Sequence, residues 1–359
     1  SASSVGALSF EWDGAPIAVP NAGSIGTDAA GRIYVPLRGA GKVNIYDNAR
    51  GGNRLLASIG GGELTDPTSV ALDVRGYIYV ADAARNAVVA YSPYYWGAPL
   101  LGSSGQKGPA LGQFDGLGQI ALDFEPRVFA GETVNGRIQV LDPSRGTLAP
   151  LYGFGITEPG GWGPVAGLAI DSKERIVVSS SNPTQPLRYY SQNGALNFSM
   201  NAAGPAQLSA PLGLTFDPLD RLAVADTGNN RVQLFLFSPG GAGLGSLAAF
   251  GTAGSGDGQF SGPSSISTAP GALAYVVDSG NGRIVRLRYD DADKDGALDA
   301  ADNCAGKPNL AQGDIDSDGR GDECDDDIDG DGLVNGADGC PLMKPFNDKV
   351  EAELGVKLL

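Results

Sequence analysis

Residues 213–237 read GLTFDPLDRLAVADTGNNRVQLFLF. A short apolar run ends at Asp217, a second covers Leu222 to Asp226, and a third follows the polar turn Thr227–Asn230. Runs of this length bounded by Asp, Asn, Gly and Pro signal antiparallel strands joined by tight turns. The pattern recurs as SIGTDAAGRIYV (24–35), SVALDVRGYIYVAD (69–82) and QIALDFEPRVFAGE (119–132). It returns as GLAIDSKERIVVSS (167–180) and SISTAPGALAYVVD (265–278). The equivalent positions Asp28, Asp73, Asp123, Asp171, Asp217 and Ala269 are 45, 50, 48, 46 and 52 residues apart. A weaker fourth segment, such as LLASIG (55–60) or SLAAFG (246–251), precedes the link to the next unit.

A four-stranded unit repeating every ~40–50 residues is a propeller blade, because one such sheet cannot bury both faces alone. The reading is therefore an all-β, six-bladed β-propeller over residues 1–289. The sixth unit holds only three strands before the composition changes, and VGALSFEW (5–12) looks like the missing outer strand. The N-terminal strand is expected to close the last blade.

The links sharpen this into a resemblance. Gly254-Ser255-Gly256-Asp257-Gly258-Gln259-Phe260 with Pro263, the partial copy Leu111-Gly112-Gln113-Phe114, and Ala225-Asp226 followed by Asn229-Asn230-Arg231-Val232 resemble NHL repeats. The likeness is weak in the fourth unit, where Ser179-Ser180 replaces Ala-Asp and Pro186 replaces Arg. Asp82, Asp226 and Asp278 recur at one offset, as do Lys42, Arg137, Arg231 and Arg283. A feature present in several blades is expected to serve each blade through turn hydrogen bonds. The cluster Tyr91, Tyr94, Tyr95 and Trp96 breaks the pattern. Burial statistics favour an edge cover, while Tyr94, Tyr95 and Trp96 are also the candidate contact for a protein or glycan partner.

Charge divides the chain more sharply than length does. The 359 residues carry a formal charge of −16. Residues 1–289 hold a net of −2, and residues 290–340, with 17 acidic and 3 basic side chains, a net of −14. Neither half offers the basic face that nucleic acid requires. No apolar run reaches the ~18–20 residues of a membrane helix, so no membrane insertion is expected. The chain begins at Ser1 with no charged-then-apolar leader, so any signal peptide is expected to have been removed or left out. With no histidine, triad hydrolases and His-ligated zinc are excluded.

The acidic stretch has its own frame. Asp291, Asp293, Asp295, Gly296, Ala297, Asp299 and Asp302 occupy positions 1, 3, 5, 6, 7, 9 and 12 of a twelve-residue loop. Asp314, Asp316, Asp318, Gly319, Arg320, Asp322 and Asp325 repeat it, as do Asp327, Asp329, Asp331, Gly332, Leu333, Asn335 and Asp338. The side-chain oxygens, with the position-7 carbonyls of Ala297, Arg320 and Leu333, suit Ca2+, and about three or more ions are expected. Without metal, so acidic and apolar-poor a segment cannot form a core.

The flanks are not amphipathic helices, and position 12 is Asp where an EF-hand has Glu. Asp302-Asn303-Cys304, Asn309, Gln312, the run Asp314 to Asp325, and Asp338-Gly339-Cys340-Pro341 instead resemble thrombospondin type 3 repeats, with Ala305 and Leu310 where two prolines belong. That resemblance implies a chain wrapped around calcium ions and a Cys304–Cys324 disulfide. Cys340 is then left to pair elsewhere or stay free, and calcium with a disulfide implies a secreted or cell-surface setting. Residues 290–341 form this module, and residues 342–359, with DKVEAELGVKLL, read as a tail and candidate short helix.

The expectation is a non-catalytic calcium-binding protein for adhesion, matrix building or surface assembly. Cys340 and the apolar Val356, Leu358 and Leu359 raise a homo-oligomer or head-to-tail filament. The competing reading is a calcium-dependent lactonase with carboxylates meeting in the propeller tunnel.

Overall fold

The structure, a computed structural model, describes residues 10–47, 53–144, 147–155, 165–180, 182–200, 207–237, 243–289, 291–293, 295, 297–299 and 301–343. Candidate strand residues 5–9 and the candidate helix with Val356, Leu358 and Leu359 lie outside these. The chain divides into two compact units, Ser1–Arg288 and Tyr289–Leu359.

The first unit is an all-β, six-bladed propeller. Five blades are four-stranded antiparallel meanders, each with an innermost strand next to the ring axis and an outermost strand at the rim, and in the sixth Ile17–Ala18 also pairs with the last strand of the propeller. Blade 5 is typical, running Leu214–Phe216, Leu222–Asp226, Arg231–Phe237 and Leu244–Phe250. Its two central strands pair in the register Leu222↔Phe235 through Asp226↔Arg231. Every residue of Leu222–Asp226 is buried, because neighbouring blades cover both of its faces. The rim strand Leu244–Phe250 is largely exposed. Blade 2 follows the same plan with Pro67–Leu72, Ile78–Asp82, Ala87–Tyr91 and Leu100–Ser104. The apolar clusters lie mostly between adjacent blades, as where Tyr79 and Ala81 pack with Phe114, Leu117 and Val128.

Blades are stitched together close to the axis. Ser24 N–H donates to the Thr68 carbonyl at 2.8 Å, and Val70 N–H returns to the Ser24 carbonyl at 3.0 Å. That approach needs Gly23, since a Cβ there would sit 2.5 Å from the Thr68 oxygen.

The ring closes non-covalently. Phe10–Trp12 pairs with the last propeller strand, Arg283–Tyr289, as the fourth strand of the sixth blade. Asp13 N–H donates to the Arg286 carbonyl at 3.0 Å, and Arg286 Nη2 reaches Asp13 Oδ1 at 3.1 Å. Phe10 stacks on Phe250 at 5.4 Å, and the Arg283 guanidinium lies 5.0 Å over the Trp12 ring.

Beyond Tyr289, where the last propeller strand ends, the second unit has no α-helix or strand among its described residues. No described helix is long and apolar enough to cross a membrane.

Candidate metal centres

Three carboxylate triads stand in the second unit. Oxygens of Asp291, Asp293 and Asp295 lie within 4.8 Å of one another, as do those of Asp314, Asp316 and Asp318, and of Asp327, Asp329 and Asp331. These are positions 1, 3 and 5 of the three loops.

One set of hydrogen bonds builds each triad. The position-3 carboxylate accepts the position-5 N–H: Asp295 to Asp293 at 3.3 Å, Asp318 to Asp316 at 3.1 Å, Asp331 to Asp329 at 3.2 Å. The position-5 carboxylate accepts the position-7 N–H from Ala297, Arg320 and Leu333 at 2.8, 2.7 and 2.7 Å. Such Asx turns bend the backbone so that successive side chains converge. Asp314 and Asp327 also accept the position-6 N–H of Gly319 and Gly332 at 3.1 and 2.9 Å. Both glycines hold positive φ, which frees the loop for its sharp turn.

Positions 9 and 12 carry structural bonds as well. Asp299, Asp322 and Asn335 each accept the position-2 N–H, from Ala292, Ile315 and Ile328, at 2.7, 2.8 and 3.0 Å. Asp and Asn offer the same acceptor there, so Asn335 preserves the bond while lowering the charge of the third loop. Asp302, Asp325 and Asp338 accept the N–H two residues on, from Cys304, Asp327 and Cys340.

The loops also brace one another. Asp295 Oδ2 accepts Asn309 N–H at 2.8 Å and Gln312 Nε2 at 3.1 Å. Asn303 N–H donates to Gln312 Oε1 at 3.0 Å, and its carbonyl accepts Gly321 N–H at 2.9 Å. Cys304 and Cys324 form a disulfide across this junction. A Cβ on Gly321 would fall 2.7 Å from Cys304 Sγ, so glycine is required there. The bracing roles of Asn303 and Gln312 were not read from the sequence, where both residues counted only as part of the repeat motif.

Electrostatics fits a cation. Asp316 is raised above the ordinary carboxylate range by desolvation and then by neighbouring Asp318, Asp314 and Asp325. Burial also pushes Asp295 upward, but donors from Ala297, Asn309 and Gln312 hold it below that range. Asp314 Oδ1, Asp329 Oδ2 and Asp338 Oδ2 are buried oxygens without a hydrogen-bond partner, and Asp329 is 1% exposed. Hard, flexible oxygen sets of this kind suit Ca2+, whereas zinc would want Cys or His. Cys304 and Cys324 are tied up in the disulfide, and Cys340 is an exposed free thiol.

The propeller's recurring carboxylates are structural. Asp28, Asp73, Asp123, Asp171 and Asp217 each accept the N–H four residues on, at 2.8–3.0 Å. Nine residues after Asp73, Asp123, Asp217 and Ala269, the side chains of Asp82, Glu132, Asp226 and Asp278 are fully buried. Each clamps an N–H seventeen residues upstream, from Thr65, Asp115, Ser209 and Ser261, at 2.5, 2.9, 2.7 and 2.7 Å. Glu132 is the member that a search for Asp passes over, and its offset alone would have found it.

The ring axis is a channel of about 220 Å³, lined by residues such as Ile25, Val70, Gln119, Leu168, Leu214 and Ile266. Thr27, Thr215, Ser267 and Thr268 add hydroxyls, and no carboxylate lines it among the described residues. In the aromatic cluster, Tyr91 is buried and Tyr94 half-buried, whereas Tyr95 and Trp96 are about 60% exposed.

Comparison with known proteins agrees with both halves. Residues 289–312 and 313–344 match the thrombospondin type 3 repeat, and residues 208–235 match the NHL repeat. Thrombospondin-3a of Danio rerio is 57% identical over 42 residues, 12% of this chain and 4% of that protein. Cartilage oligomeric matrix protein of Mus musculus is 57% identical over 43 residues, 12% of this chain and 6% of that protein. The chain thus spans only a small part of the curated relatives it matches. A gluconolactonase from Xanthomonas campestris superposes with a TM-score of 0.53 at 11% identity, covering 79% of this chain and 89% of that one. Identity that low speaks for the propeller fold alone.

Proposed function

We propose, for a chain that joins an NHL-repeat six-bladed propeller to thrombospondin type 3 repeats, a non-catalytic role as an extracellular calcium-binding protein. Residues 1–289 act as the interaction scaffold, 290–341 as a calcium-stiffened stalk, and 342–359 as a tail. Asp291, Asp293, Asp295, Asp314, Asp316, Asp318, Asp327, Asp329 and Asp331 are the ligands we assign to Ca2+. Bound calcium would neutralise the crowded carboxylates and let the loops pack without a hydrophobic core. The observation that carries this is the threefold repetition of one hydrogen-bonded triad.

The position-7 carbonyls and the position-9 and position-12 side chains complete the assigned set. Because the braces are built into the resting loops, the array serves as a stiffener and not as a sensor that must reorient helices. The matrix protein among the relatives supports adhesion or matrix assembly as its setting. The exposed Cys340 supports covalent joining to a second copy.

The test is calorimetric titration of the chain with calcium, followed by light scattering with and without reductant. About three or more ions should bind, and calcium should protect residues 290–340 from protease. A chain that binds no calcium, or that hydrolyses gluconolactone in a calcium-dependent manner, contradicts the reading.

A further inference from the structure

The clearest unassigned feature of the propeller lies around blade 2. After Ala87–Tyr91 the chain makes a short 3₁₀ turn at Tyr94–Trp96, tied by Trp96 N–H to the Pro93 carbonyl at 3.0 Å and Gly97 N–H to Tyr94 at 2.9 Å. Ser92 N–H reaches the Pro99 carbonyl at 2.9 Å, closing the excursion at its base. This holds two large aromatic rings in water at fixed angles. Tyr95 and Trp96 are 59% and 60% exposed, with ring centroids 5.1 Å apart at 70°. Tyr77 stands edge-on to Trp96 at 6.1 Å, and Tyr95 Oη donates to the Arg75 carbonyl at 3.1 Å. Exposing such area in a rigid turn costs hydrophobic free energy that burial would recover, which marks a contact site.

Two clefts lie beside this turn and share Arg75; Tyr95 lines the first, and Tyr77, the ring that stands against Trp96, lines the second. One, of about 460 Å³, lies between blades 1 and 2 and is lined by Arg32, Asp73, Arg75, Tyr94 and Tyr95 among others. The other, of about 620 Å³, lies between blades 2 and 3 and is lined by Arg75, Tyr77, Glu125, Asp142 and Ser144 among others. Both fall within the size range of small-molecule sites.

The arginines at the clefts are already paired. Arg75 Nη2 pairs with Asp73 at 3.0 Å, and Arg32 Nε pairs with Asp28 at 2.6 Å. Arg127 pairs with Asp123 and leans toward Glu125 at 3.7 Å. The Arg32 and Arg75 guanidinium groups lie 4.9 and 5.0 Å over Tyr94 and Tyr77. With the arginines held by carboxylates, and Glu125 and Asp142 adding negative charge to the second cleft, the site does not select an anion. Planar polar groups held next to exposed rings match a neutral molecule that carries many hydroxyls on an apolar ring face.

We propose that these paired clefts bind a neutral oligosaccharide, with Trp96 and Tyr95 as the stacking platform and Arg75 hydrogen-bonding hydroxyls on both sides. This rests on the scaffold role of the propeller and names one ligand class for it. A peptide partner would also use Trp, Tyr and Arg anchors. The two concave clefts, whose walls mix apolar surface with charged and hydroxyl groups, favour the sugar over the flat area a protein contact buries.

The experiment uses the calcium-loaded full chain titrated with cellohexaose, chitohexaose and mannohexaose, read by calorimetry and tryptophan fluorescence. At least one should bind and perturb the fluorescence. Trp96→Ala and Arg75→Ala should each weaken it by about tenfold or more. Trp96→Ala removes an exposed ring, so its melting temperature should stay within about 2 °C of the parent. Calcium stoichiometry is measured in the same samples, so a chain that loads calcium but binds no sugar overturns this site alone. Binding unchanged by Trp96→Ala overturns it too, as does capture of a second copy of the chain through Trp96 without any sugar binding.

Discussion

Asp226→Ala tests whether the recurring buried carboxylates hold the propeller together. Asp226 is fully buried and takes four donors: Ser209 N–H at 2.7 Å on one oxygen, and Asn229, Arg231 and Gln233 at 2.9, 2.8 and 2.8 Å on the other. Alanine leaves the Arg231 guanidinium, only 20% exposed, without its counter-charge, and Gln233 without an acceptor in a fully buried position. Breaking one partner of a buried pair costs roughly 3–5 kcal/mol, and the four bonds do not add beyond that because they share one carboxylate. Against a domain stability of about 5–15 kcal/mol this is a large fraction. At about 2–4 °C per kcal/mol for a unit of this size, the melting temperature should fall by about 10 °C. Asp226→Asn keeps an acceptor for Ser209 N–H and should lose less. The assay is calorimetric unfolding of the calcium-loaded chain, with calcium titration in parallel to show that the second unit is untouched. A shift below about 2 °C, or a change in calcium binding at unchanged melting temperature, would show that Asp226 does not hold the blade together.

Three further outcomes follow from the same geometry. Calcium removal by EDTA should speed amide exchange across residues 290–340 by orders of magnitude while blade strands such as Leu222–Asp226 keep their protection; equal loss in both units would contradict it. Asp329→Asn removes one charge at the most buried triad position and should weaken calcium binding in the third loop by about tenfold, so an unchanged isotherm would count against that loop. Stability should hold to about pH 10 and then fall, because burial raises Tyr34, Tyr79 and Tyr91 and pushes Tyr275 up to about 12. The unfolded chain loses those protons near pH 10 while the folded chain keeps them, so unfolding is favoured as pH climbs. A flat stability curve through pH 11 would contradict that sign.

Deleting residues 1–13 probes the closure of the ring. It removes the strand Phe10–Trp12 and the Asp13 bonds to Arg286 and Arg288. Loss of the last blade's outer strand should lower the melting temperature by several degrees, about 2–4 °C per kcal/mol lost.

Period and register were legible in the sequence because each rests on local chemistry. A blade is a run of apolar strands ended by turn residues, and a calcium loop is a fixed order of carboxylates, so both are written within a few dozen residues. Asp217 and its four equivalents announce a turn because an Asx turn is made with near neighbours. The Phe10–Trp12 closure was legible for a different reason: the count of strands left one place in the last blade unfilled.

What only the tertiary structure decided lies between residues far apart in the chain. Glu132 and Asp226 stand at the same offset in their repeats, but the work they share, a clamp on a link seventeen residues upstream, shows only in the fold. The sequence marks Asp299, Asp322 and Asn335 as oxygens in a frame, and folding sets each against a backbone N–H. Tyr91 is buried while Tyr95 and Trp96, a few residues on, are exposed. All three are large aromatic residues, and the difference comes from where the strand end and the turn place each of them. The sequence alone determined the strands, the turns and the acidic frame, because these depend on residues close in the chain. The clefts beside Arg75 and the braces on Asp295 exist only once distant segments have been brought together.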